Sequence, residues 1–230
     1  MFVGNVGDGE DVIREFPDMF TDRLGELKNF EHKIILKNND TPVVHKVRKV
    51  QNLMLSLLEQ EIDKLKGMDV IEDIESSEWL APVVLVPKDN GTKIRMHVDL
   101  RDFNQRIWVD RQPLPNIAET LSMLKGAKIF SVMDLSAAYY QLRLYKDSKH
   151  LTSFVTPLGA FRFKRFPLGL ASAAACFQTL MKKVLEGVRN VLFFQNDILI
   201  YGENELTHDA TLKEVLERLR DNGLTVKREK

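Results

Sequence analysis

The sequence lacks the features that mark several large classes of protein. It has a single cysteine, Cys176, which excludes an internal disulfide framework and a cysteine-rich zinc site. Its first residues do not have the basic and then apolar order of a signal peptide, and no apolar run approaches the roughly 18 residues of a membrane span. We therefore expect an intracellular protein that is neither secreted nor inserted in a membrane.

The chain also lacks net charge, since 33 Lys and Arg side chains balance 33 Asp and Glu side chains. No field of the whole molecule therefore draws it to nucleic acid or to an anionic membrane, and such a partner needs a local patch. With only 12 Gly and 8 Pro among 230 residues, and 44% hydrophobic residues, the composition excludes disordered and fibrous proteins. The length suits one large domain or two smaller subdomains.

Charge is instead segregated along the chain. Residues 1–45 contain nine acidic and five basic side chains, a balance that is typical of a tail or connector. Residues 141–166 reverse the sign and place aromatic side chains between the basic ones, which suits contact with a phosphate backbone and exposed bases. The alternative is a hairpin with a solvated basic face. The basic side chains are Arg143, Lys146, Lys149, Arg162, Lys164 and Arg165.

Hydrophobic periodicity predicts an α+β fold. It indicates helices over 51–68, 116–125, 172–186 and 205–222, and strands over 81–86, 93–98, 128–133, 191–194 and 198–201. From 128 onwards the order is strand, helix, strand, strand, helix, with a hairpin inserted after the first strand. This order is close to that of a split βαβ unit, an antiparallel sheet with helices on one face.

Such a sheet would bring the end of the 128–133 strand beside the tip of the 191–201 hairpin. Asp134 would then lie near Asn196 and Asp197. Carboxylates that converge at a sheet edge can hold two Mg²⁺ ions about 3.5–4 Å apart, as nucleotidyl transfer requires. From spacing alone, however, this signal is weak, because Asn-Asp is an ordinary turn pair and an Asp at a strand end is ordinary too.

A series of segments resembles the fingers and palm of reverse transcriptases, the RNA-directed DNA polymerases of long-terminal-repeat retrotransposons of the gypsy group and of vertebrate retroviruses. The resemblance implies template-directed DNA synthesis from dNTPs on an RNA or DNA template, with two Mg²⁺ ions. The segments follow the family order and spacing: residues 16–20, 79–84, 88–91, 95–104, 113–115, 130–139, 152–159, 166–170, 177–178 and 194–202.

The resemblance also implies a domain organisation. It divides the chain into an acidic connector (1–45), fingers (46–109 and 142–171) and palm (110–141 and 172–230), with the thumb and RNase H expected to be absent. The partners that it implies are a template-primer, dNTPs, and the protease, RNase H and integrase regions of a Pol polyprotein. The implied location is the cytoplasm, within a virus-like particle, or the nucleus.

Carried over residue by residue, the resemblance implies a nucleotide site. Lys88 and Arg95 match fingers residues that grip the triphosphate, a role that suits a point charge and a planar fork. Tyr139 matches an aromatic gate beneath the sugar, whose ring would clash with a 2′-hydroxyl. Leu168 and Gly169 match the loop beside the nucleotide. The alternatives are solvated Lys88 and Arg95 side chains and a core position for Tyr139.

The catalytic position departs from the family pattern. Asp134 and Asp197 match metal-binding carboxylates, but Asn196 stands where the first Asp of the Asp-Asp pair is expected. An amide oxygen carries no formal charge and is a poor ligand for Mg²⁺. A loss of about 4 kcal/mol of stabilisation would slow the reaction roughly 10³-fold. Further departures are His97, Leu100, Gln112 and Ala174.

Three interpretations of the function remain open. In the first, the chain is a working reverse transcriptase segment in which Asp134 and Asp197 suffice for catalysis. In the second, it is a catalytically dead remnant that keeps the fold. The third is a host-recruited module that uses its basic fingers to bind RNA or a protein. Primer extension separates the first from the others, and salt-dependent RNA binding without extension separates the third from the second.

Overall fold

The chain divides into two compact units, each assembled from separate segments. Unit 1 comprises Met1–Lys28, Asp110–Gln141 and Ala174–Lys230, and unit 2 comprises Asn29–Val109 and Leu142–Ala173. The structure is a computed structural model that describes residues 9–21, 23–37, 41–109, 122, 124–135, 137–194 and 196–227.

Unit 1 is built on a three-stranded antiparallel sheet. Its strands are β5 (Ile129–Asp134), β9 (Val191–Phe194) and β10 (Asp197–Gly202), and their order in the sheet is β5-β10-β9. Since β10 lies between β5 and β9 and is antiparallel to both, β5 and β9 are parallel to each other. Helix α4 (Ala173–Val184) connects them along the chain. This is the predicted split βαβ arrangement, and the α+β prediction is confirmed.

Both helices of unit 1 that cover the sheet lie on one of its faces. Phe177 of α4 packs against Phe193 with ring centroids 5.6 Å apart. Helix α5 (Glu205–Asp221) contributes His208, whose Nε2 lies 2.9 Å from the Ser131 hydroxyl oxygen. Phe193 and Ser131 are register partners of Ile198 and Ile200, which are both fully buried. The opposite face of the sheet is not covered by these helices.

The N-terminal segment, which the acid count marked as a connector, contributes to the core of unit 1. Helix α1 (Gly9–Arg14) precedes Phe16 and Met19, which are 2% and 1% exposed. The guanidinium of Arg220 lies 4.7 Å from the centre of the Phe16 ring. Counts of acidic residues could not show this packing, because it depends on two apolar side chains.

Unit 2 is built on a five-stranded sheet. Its strands are β2 (Ile71–Ile74), β3 (Ala81–Lys88), β4 (Lys93–Val98), β7 (Ser153–Thr156) and β8 (Gly159–Phe163). Their order in the sheet is β2-β8-β7-β3-β4, and neighbouring strands are antiparallel except β7 and β3, which are parallel. Unit 2 also contains α2 (Asn52–Gly67), α3 (Arg101–Asn104), the short parallel pair β1 (Glu31–His32) and β6 (Arg143–Leu144), and the 3₁₀ segments Asp89–Gly91 and Lys146–Thr152.

The predicted elements are confirmed to within a few residues, except the helix over 116–125, most of which lies outside the described residues. Four of the five aromatic side chains of the basic stretch, in contrast, belong to the core of unit 2, and the fifth, Tyr145, is half-buried. Phe154 is fully buried, and its ring lies 5.6 Å from Phe161 and 5.1 Å from Phe163. Alternation along β7 and β8 turns these rings inwards, so they are not available to stack on bases.

A half-buried histidine makes unit 2 sensitive to acid. The ring of His32 lies 4.5 Å from that of Phe166, and its Nε2 lies 3.4 Å from the Ser172 hydroxyl oxygen. Burial lowers the pKa of His32 to about 4. In the unfolded chain the pKa of this histidine returns to about 6.5. Between pH 4 and pH 6.5 the unfolded chain therefore binds a proton at His32, whereas the folded protein does not.

The stabilisation from neutral His32 is therefore complete above about pH 6.5 and is lost as the pH falls towards 4. We expect a loss of roughly 1–3 kcal/mol in the free energy of unfolding across this window. Urea unfolding at pH 7 and at pH 4.5 measures it, and His32→Gln should remove this part of the pH dependence. An equal acid slope in both proteins would contradict the prediction.

Candidate active site

The ends of β5 and β10 meet at one edge of the unit 1 sheet. Asp134, the last residue of β5, is the register partner of Asp197, the first residue of β10. Directly opposed residues of antiparallel strands have Cα atoms about 4.5–5.5 Å apart and side chains on the same face. The structure therefore brings the two predicted carboxylates together as a cross-strand pair.

The alternation of burial shows which face carries this pair. The neighbours of this pair along the strands, Met133 in β5 and Ile198 in β10, are 3% and 0% exposed and face the helices. Asp134 and Asp197 therefore lie on the other face, with Val132, which is 37% exposed. Carboxylates on this face remain accessible to an ion or a substrate.

Asn196 lies at the tip of the hairpin between β9 and β10. Phe194 and Asp197 are register partners, and Asn196 directly precedes Asp197 in the turn that joins the two strands. Gln195 lies outside the described residues. The Leu135 amide donates to the Asn196 carbonyl oxygen at 3.3 Å, which ties the turn to the end of β5. The side-chain Oδ1 of Asn196 is buried, and within the described part of the chain it accepts no hydrogen bond. A buried acceptor without a donor is costly, and a bound cation would satisfy it.

The oxygen atoms at this sheet edge fit Mg²⁺. This ion is commonly held by one or two carboxylates and completes its shell with water and substrate phosphates. Among the residues described, no group of three or more His, Cys, Asp and Glu side chains is arranged to hold a metal ion. A third protein donor would therefore be the uncharged Oδ1 of Asn196.

A segment near the C-terminus fixes the backbone at the end of β5. The Lys227 amide donates to the Asp134 carbonyl oxygen at 3.0 Å. Val226 bridges to Leu135 in antiparallel fashion and to Phe20 in parallel fashion, and its own side chain is 1% exposed. The backbone that carries Asp134 is thus held from both sides, by β10 and by this segment.

Tyr139 lies in the 3₁₀ turn Ala138–Gln141 of the same unit. Its ring meets the ring of Phe177 edge-on, with centroids 5.5 Å apart. Burial raises the pKa of the Tyr139 phenol above its usual value. Contact with α4 fixes the ring in place, and its predicted role as a gate beneath the sugar stays a prediction.

Lys88 and Arg95 lie on one face of the β3–β4 hairpin in unit 2. Arg95 is the register partner of Val86, and Lys88 is that of Lys93, so all four side chains share this face. Lys88 and Arg95 are both exposed, and the Lys93 ammonium lies 3.2 Å from Asp89 in the turn. The hairpin thus presents two accessible cations as diagonal neighbours, which is a geometry suited to a polyanion.

The loop that contains Leu168 and Gly169 is exposed, and Gly169 has a φ of 88°, a conformation that favours glycine. Asn104 of α3 holds this loop. Its Nδ2 donates to the Gly169 carbonyl oxygen and its Oδ1 accepts from the Ala171 amide, both at 2.8 Å. The sequence patterns did not predict a role for Asn104, although it ends the matched segment 95–104.

Four of the six cations predicted to bind nucleic acid make contacts inside unit 2. Arg143 and Lys164 both contact the carboxylate of Asp69, and the Arg162 Nε lies 2.7 Å from Glu72. Burial alone would raise the pKa of Asp69, but hydrogen bonds and charge from Lys164 and Arg143 lower it below its usual value.

Arg165, the fourth, is 5% exposed, and its Nε donates to the Asp69 carbonyl oxygen at 3.2 Å. A phosphate could reach it only if the side chain left the core. Of the other two cations, Lys146 is exposed and Lys149 is half-buried, and contact with nucleic acid stays a prediction for all six. In the described part of the chain, no helix is long and apolar enough to cross a membrane.

Comparison with known proteins places this geometry in a family. Residues 86–230 match the family model described as "Reverse transcriptase (RNA-dependent DNA polymerase)". An uncharacterized protein of Caenorhabditis elegans is 32% identical over 94% of the chain. The retrovirus-related Pol polyprotein from transposon 412 of Drosophila melanogaster is 29% identical over 96%. The chain spans only 17% and 18% of the length of these two relatives.

Solved structures share the fold. The protease-reverse transcriptase of prototype foamy virus superposes with a TM-score of 0.85 at 22% identity, covering 95% of this chain and 30% of that one. A foamy viral protease-reverse transcriptase in complex with an RNA/DNA hybrid gives 0.84 at 20% identity, covering 100% and 31%. At this identity the matches show the fold, and the predicted fingers and palm architecture is confirmed.

Proposed function

Since the chain belongs to the reverse transcriptase (RNA-dependent DNA polymerase) family, we propose that it forms the fingers and palm of a reverse transcriptase encoded within a retrotransposon-type Pol polyprotein. Unit 1 is then the palm and unit 2 the fingers. The other regions of such a polyprotein, its protease, RNase H and integrase, are the proposed protein partners. An RNA or DNA template-primer and dNTPs are the proposed substrates.

The cross-strand pair of Asp134 and Asp197 carries this proposal. Their carboxylate oxygens would hold Mg²⁺, with the Oδ1 of Asn196 as a weak third donor. When bound, two such ions supply charge that activates an attacking 3′-hydroxyl and stabilises the leaving pyrophosphate. The contribution of the chain is to hold the oxygens in place, through the β5–β10 ladder and the Lys227 hydrogen bond to Asp134.

The proposed nucleotide contacts follow from the family resemblance, residue by residue. Lys88 and Arg95 neutralise the triphosphate of the incoming dNTP, and Tyr139 limits the space beside its sugar. Leu168 and Gly169 border the nucleotide, and Asn104 fixes their loop. The accessible charges of Lys88 and Arg95 and the two hydrogen bonds of Asn104 support these roles. Lys146 and Lys149 are the proposed contacts to the template-primer backbone.

Arg95→Ala is expected to weaken dNTP binding more than Lys88→Ala, because the arginine fork can donate two hydrogen bonds to phosphate and the lysine acts as a point charge. We expect Kd to rise about 10-fold for Arg95→Ala and about 3-fold for Lys88→Ala. A dNTP titration measures both. Arg189→Ala, which removes an exposed arginine of unit 1, is the control and should leave Kd unchanged. Equal and negligible effects would favour solvated side chains.

A second candidate function is favoured by Asn196. The loss of a carboxylate at the metal site suits a domain that keeps the fold but binds RNA or a protein without polymerising. Such a host-recruited module would use the same basic fingers surface. A remnant without any activity is the remaining alternative.

Primer extension tests the proposal. The chain is incubated with template-primer, dNTPs and Mg²⁺, and Asp134→Asn is the control. Extension that disappears in the control supports a working polymerase domain. Salt-dependent RNA binding without extension supports the binding module. Absence of both extension and binding overturns the proposed function and leaves a folded remnant.

A further inference from the structure

A buried glutamine of unit 1 has no part in the proposed function so far, although it ends the segment that carries two of the proposed site residues. Gln141 is the last residue of the 3₁₀ turn Ala138–Gln141, and it is fully buried. Its Nε2 donates to the Thr225 carbonyl oxygen and its Oε1 accepts from the Thr225 amide, both at 2.8 Å. The side chain therefore uses both a donor and an acceptor on the backbone of one residue.

Residues 225–227, a short stretch that we call the strap, also hold the start of the same segment. The Lys227 amide donates to the Asp134 carbonyl oxygen at 3.0 Å. The strap therefore fixes both ends of one short segment, at Asp134 and at Gln141. Tyr139 lies within this segment, two residues before Gln141. One strap thus connects the proposed metal ligand to the proposed gate beneath the sugar.

The strap is itself anchored to the N-terminal part of unit 1. The Thr225 hydroxyl accepts from the Gly25 amide at 3.0 Å and donates to the Arg23 carbonyl oxygen at 3.2 Å. The Val226 amide donates to the Met19 carbonyl oxygen at 2.9 Å, and Val226 is 1% exposed. Because several bonds hold the strap in place, it can serve as a fixed support for the segment that it clamps.

The backbone between the two anchor points contains a strained residue. Ala137 has a φ of 46°, a left-handed conformation that alanine adopts only at a cost in free energy. Ala137 is exposed, so packing of its methyl group does not impose this conformation. Strain of this kind persists where the surrounding structure fixes the backbone, and it is concentrated at functional sites. The anchors at Asp134 and Gln141 supply such a constraint.

We propose that Gln141 is a positioning residue of the active site, and that its side chain keeps Asp134 and Tyr139 in a fixed relation to each other. Glutamine suits this role because it offers a donor and an acceptor side by side, which match the carbonyl oxygen and the amide of Thr225. Gln141 acts through the backbone and is not itself a ligand. The inference rests on the proposed function, in which Asp134 holds Mg²⁺ and Tyr139 borders the nucleotide.

Gln141→Met and Thr225→Val form a matched pair of variants for testing this role. Gln141→Met keeps an unbranched side chain of similar size and removes both hydrogen bonds to the Thr225 backbone. Thr225→Val removes the two hydrogen bonds of the hydroxyl, to Gly25 and Arg23, and keeps the backbone of this residue paired with Gln141. Since each variant loses two hydrogen bonds at the strap, we expect similar decreases in the free energy of unfolding.

Two measurements separate positioning from stability. In Gln141→Met the Lys227 amide, which donates to Asp134, should exchange with deuterium about 10-fold faster than in Thr225→Val, as followed by NMR. The Kd for Mg²⁺, obtained from the rise in Tm on titration, should increase about 10-fold in Gln141→Met and stay near the wild-type value in Thr225→Val. In primer extension, Gln141→Met should also discriminate less between dNTPs and rNTPs, because Tyr139 loses its anchor.

The possible outcomes distinguish this inference from the proposed function. Equal changes in exchange and in Mg²⁺ affinity for the two variants would show that Gln141 contributes only stability, which overturns the inference. Wild-type Mg²⁺ binding that Gln141→Met leaves unchanged also overturns it, and leaves the proposed function standing. A wild type that neither binds Mg²⁺ nor extends a primer overturns both. If Gln141→Met does not fold, Gln141→Glu replaces it, since glutamate keeps the size and the acceptor and loses the donor, and smaller changes of the same sign are expected.

Discussion

Asn196→Asp is expected to raise the rate of primer extension by up to about 10³-fold in Mg²⁺. The substitution restores a carboxylate at the hairpin tip, beside the pair formed by Asp134 and Asp197. A gain of about 4 kcal/mol in stabilisation of the transition state corresponds to this factor. Single-turnover extension of a labelled primer measures the rate, with a thumb domain supplied from a relative if the template-primer dissociates too fast.

The same substitution should destabilise the protein when metal is absent. The Oδ1 of Asn196 is buried, and no described donor satisfies it. A carboxylate there would place a third negative charge near Asp134 and Asp197, and like charges repel and raise one another's pKa. We therefore expect a lower Tm in EDTA for Asn196→Asp than for the wild type. Mg²⁺ should recover more of the Tm in the variant, because binding to the folded state stabilises it.

Asn190→Asp is a matched control for this experiment. It makes the same chemical change in the loop before β9, where the Asn190 carbonyl oxygen accepts from the Tyr201 amide at the opposite end of the hairpin. It should change neither the response to Mg²⁺ nor the extension rate. If Asn196→Asp neither lowers the Tm in EDTA nor raises extension, Asn196 does not lie at a metal site.

The sequence was sufficient to predict the palm sheet and its pair of acids. The strand-like segment 128–133, the apolar run 198–201 and the helical spacing of 172–186 each specify one element, and the order of the elements specifies their topology. Asp134 and Asp197 then lie side by side because β5 ends and β10 begins at the same edge of the sheet. Their roles in catalysis follow only from the family resemblance and remain to be tested.

Contacts between distant segments could not be predicted in the same way. The pattern of basic residues predicted that Arg162 and Lys164 contact nucleic acid. In the structure they contact Glu72 and Asp69, which lie more than 80 residues earlier in the chain. Asn104 reaches a loop 65 residues away. Such pairs depend on how strands from separate segments are ordered in the sheet, and periodicity within a single segment carries no information about that order.

Gly202→Ala is expected to destabilise unit 1 by roughly 3 kcal/mol. A Cβ atom at Gly202, the last residue of β10, would lie 2.7 Å from the His208 amide nitrogen and 2.8 Å from its Cβ. Neither atom can move alone, because His208 is fixed in α5 and its ring contacts Ser131 and Asp209, both within 3 Å. Overpacking of this kind forces the backbone apart at a cost of about 1–3 kcal/mol or more. Urea unfolding measures the loss.

Gly67→Ala provides the control for the glycine substitution. Gly67 is the last residue of α2, and a Cβ there would meet nothing within 4 Å. Because alanine is the better helix former, this variant should be neutral or slightly more stable. A loss in Gly202→Ala alone would show that close approach of α5 to the end of β10 requires the glycine. An unchanged unfolding free energy would mean that α5 can shift away from the strand.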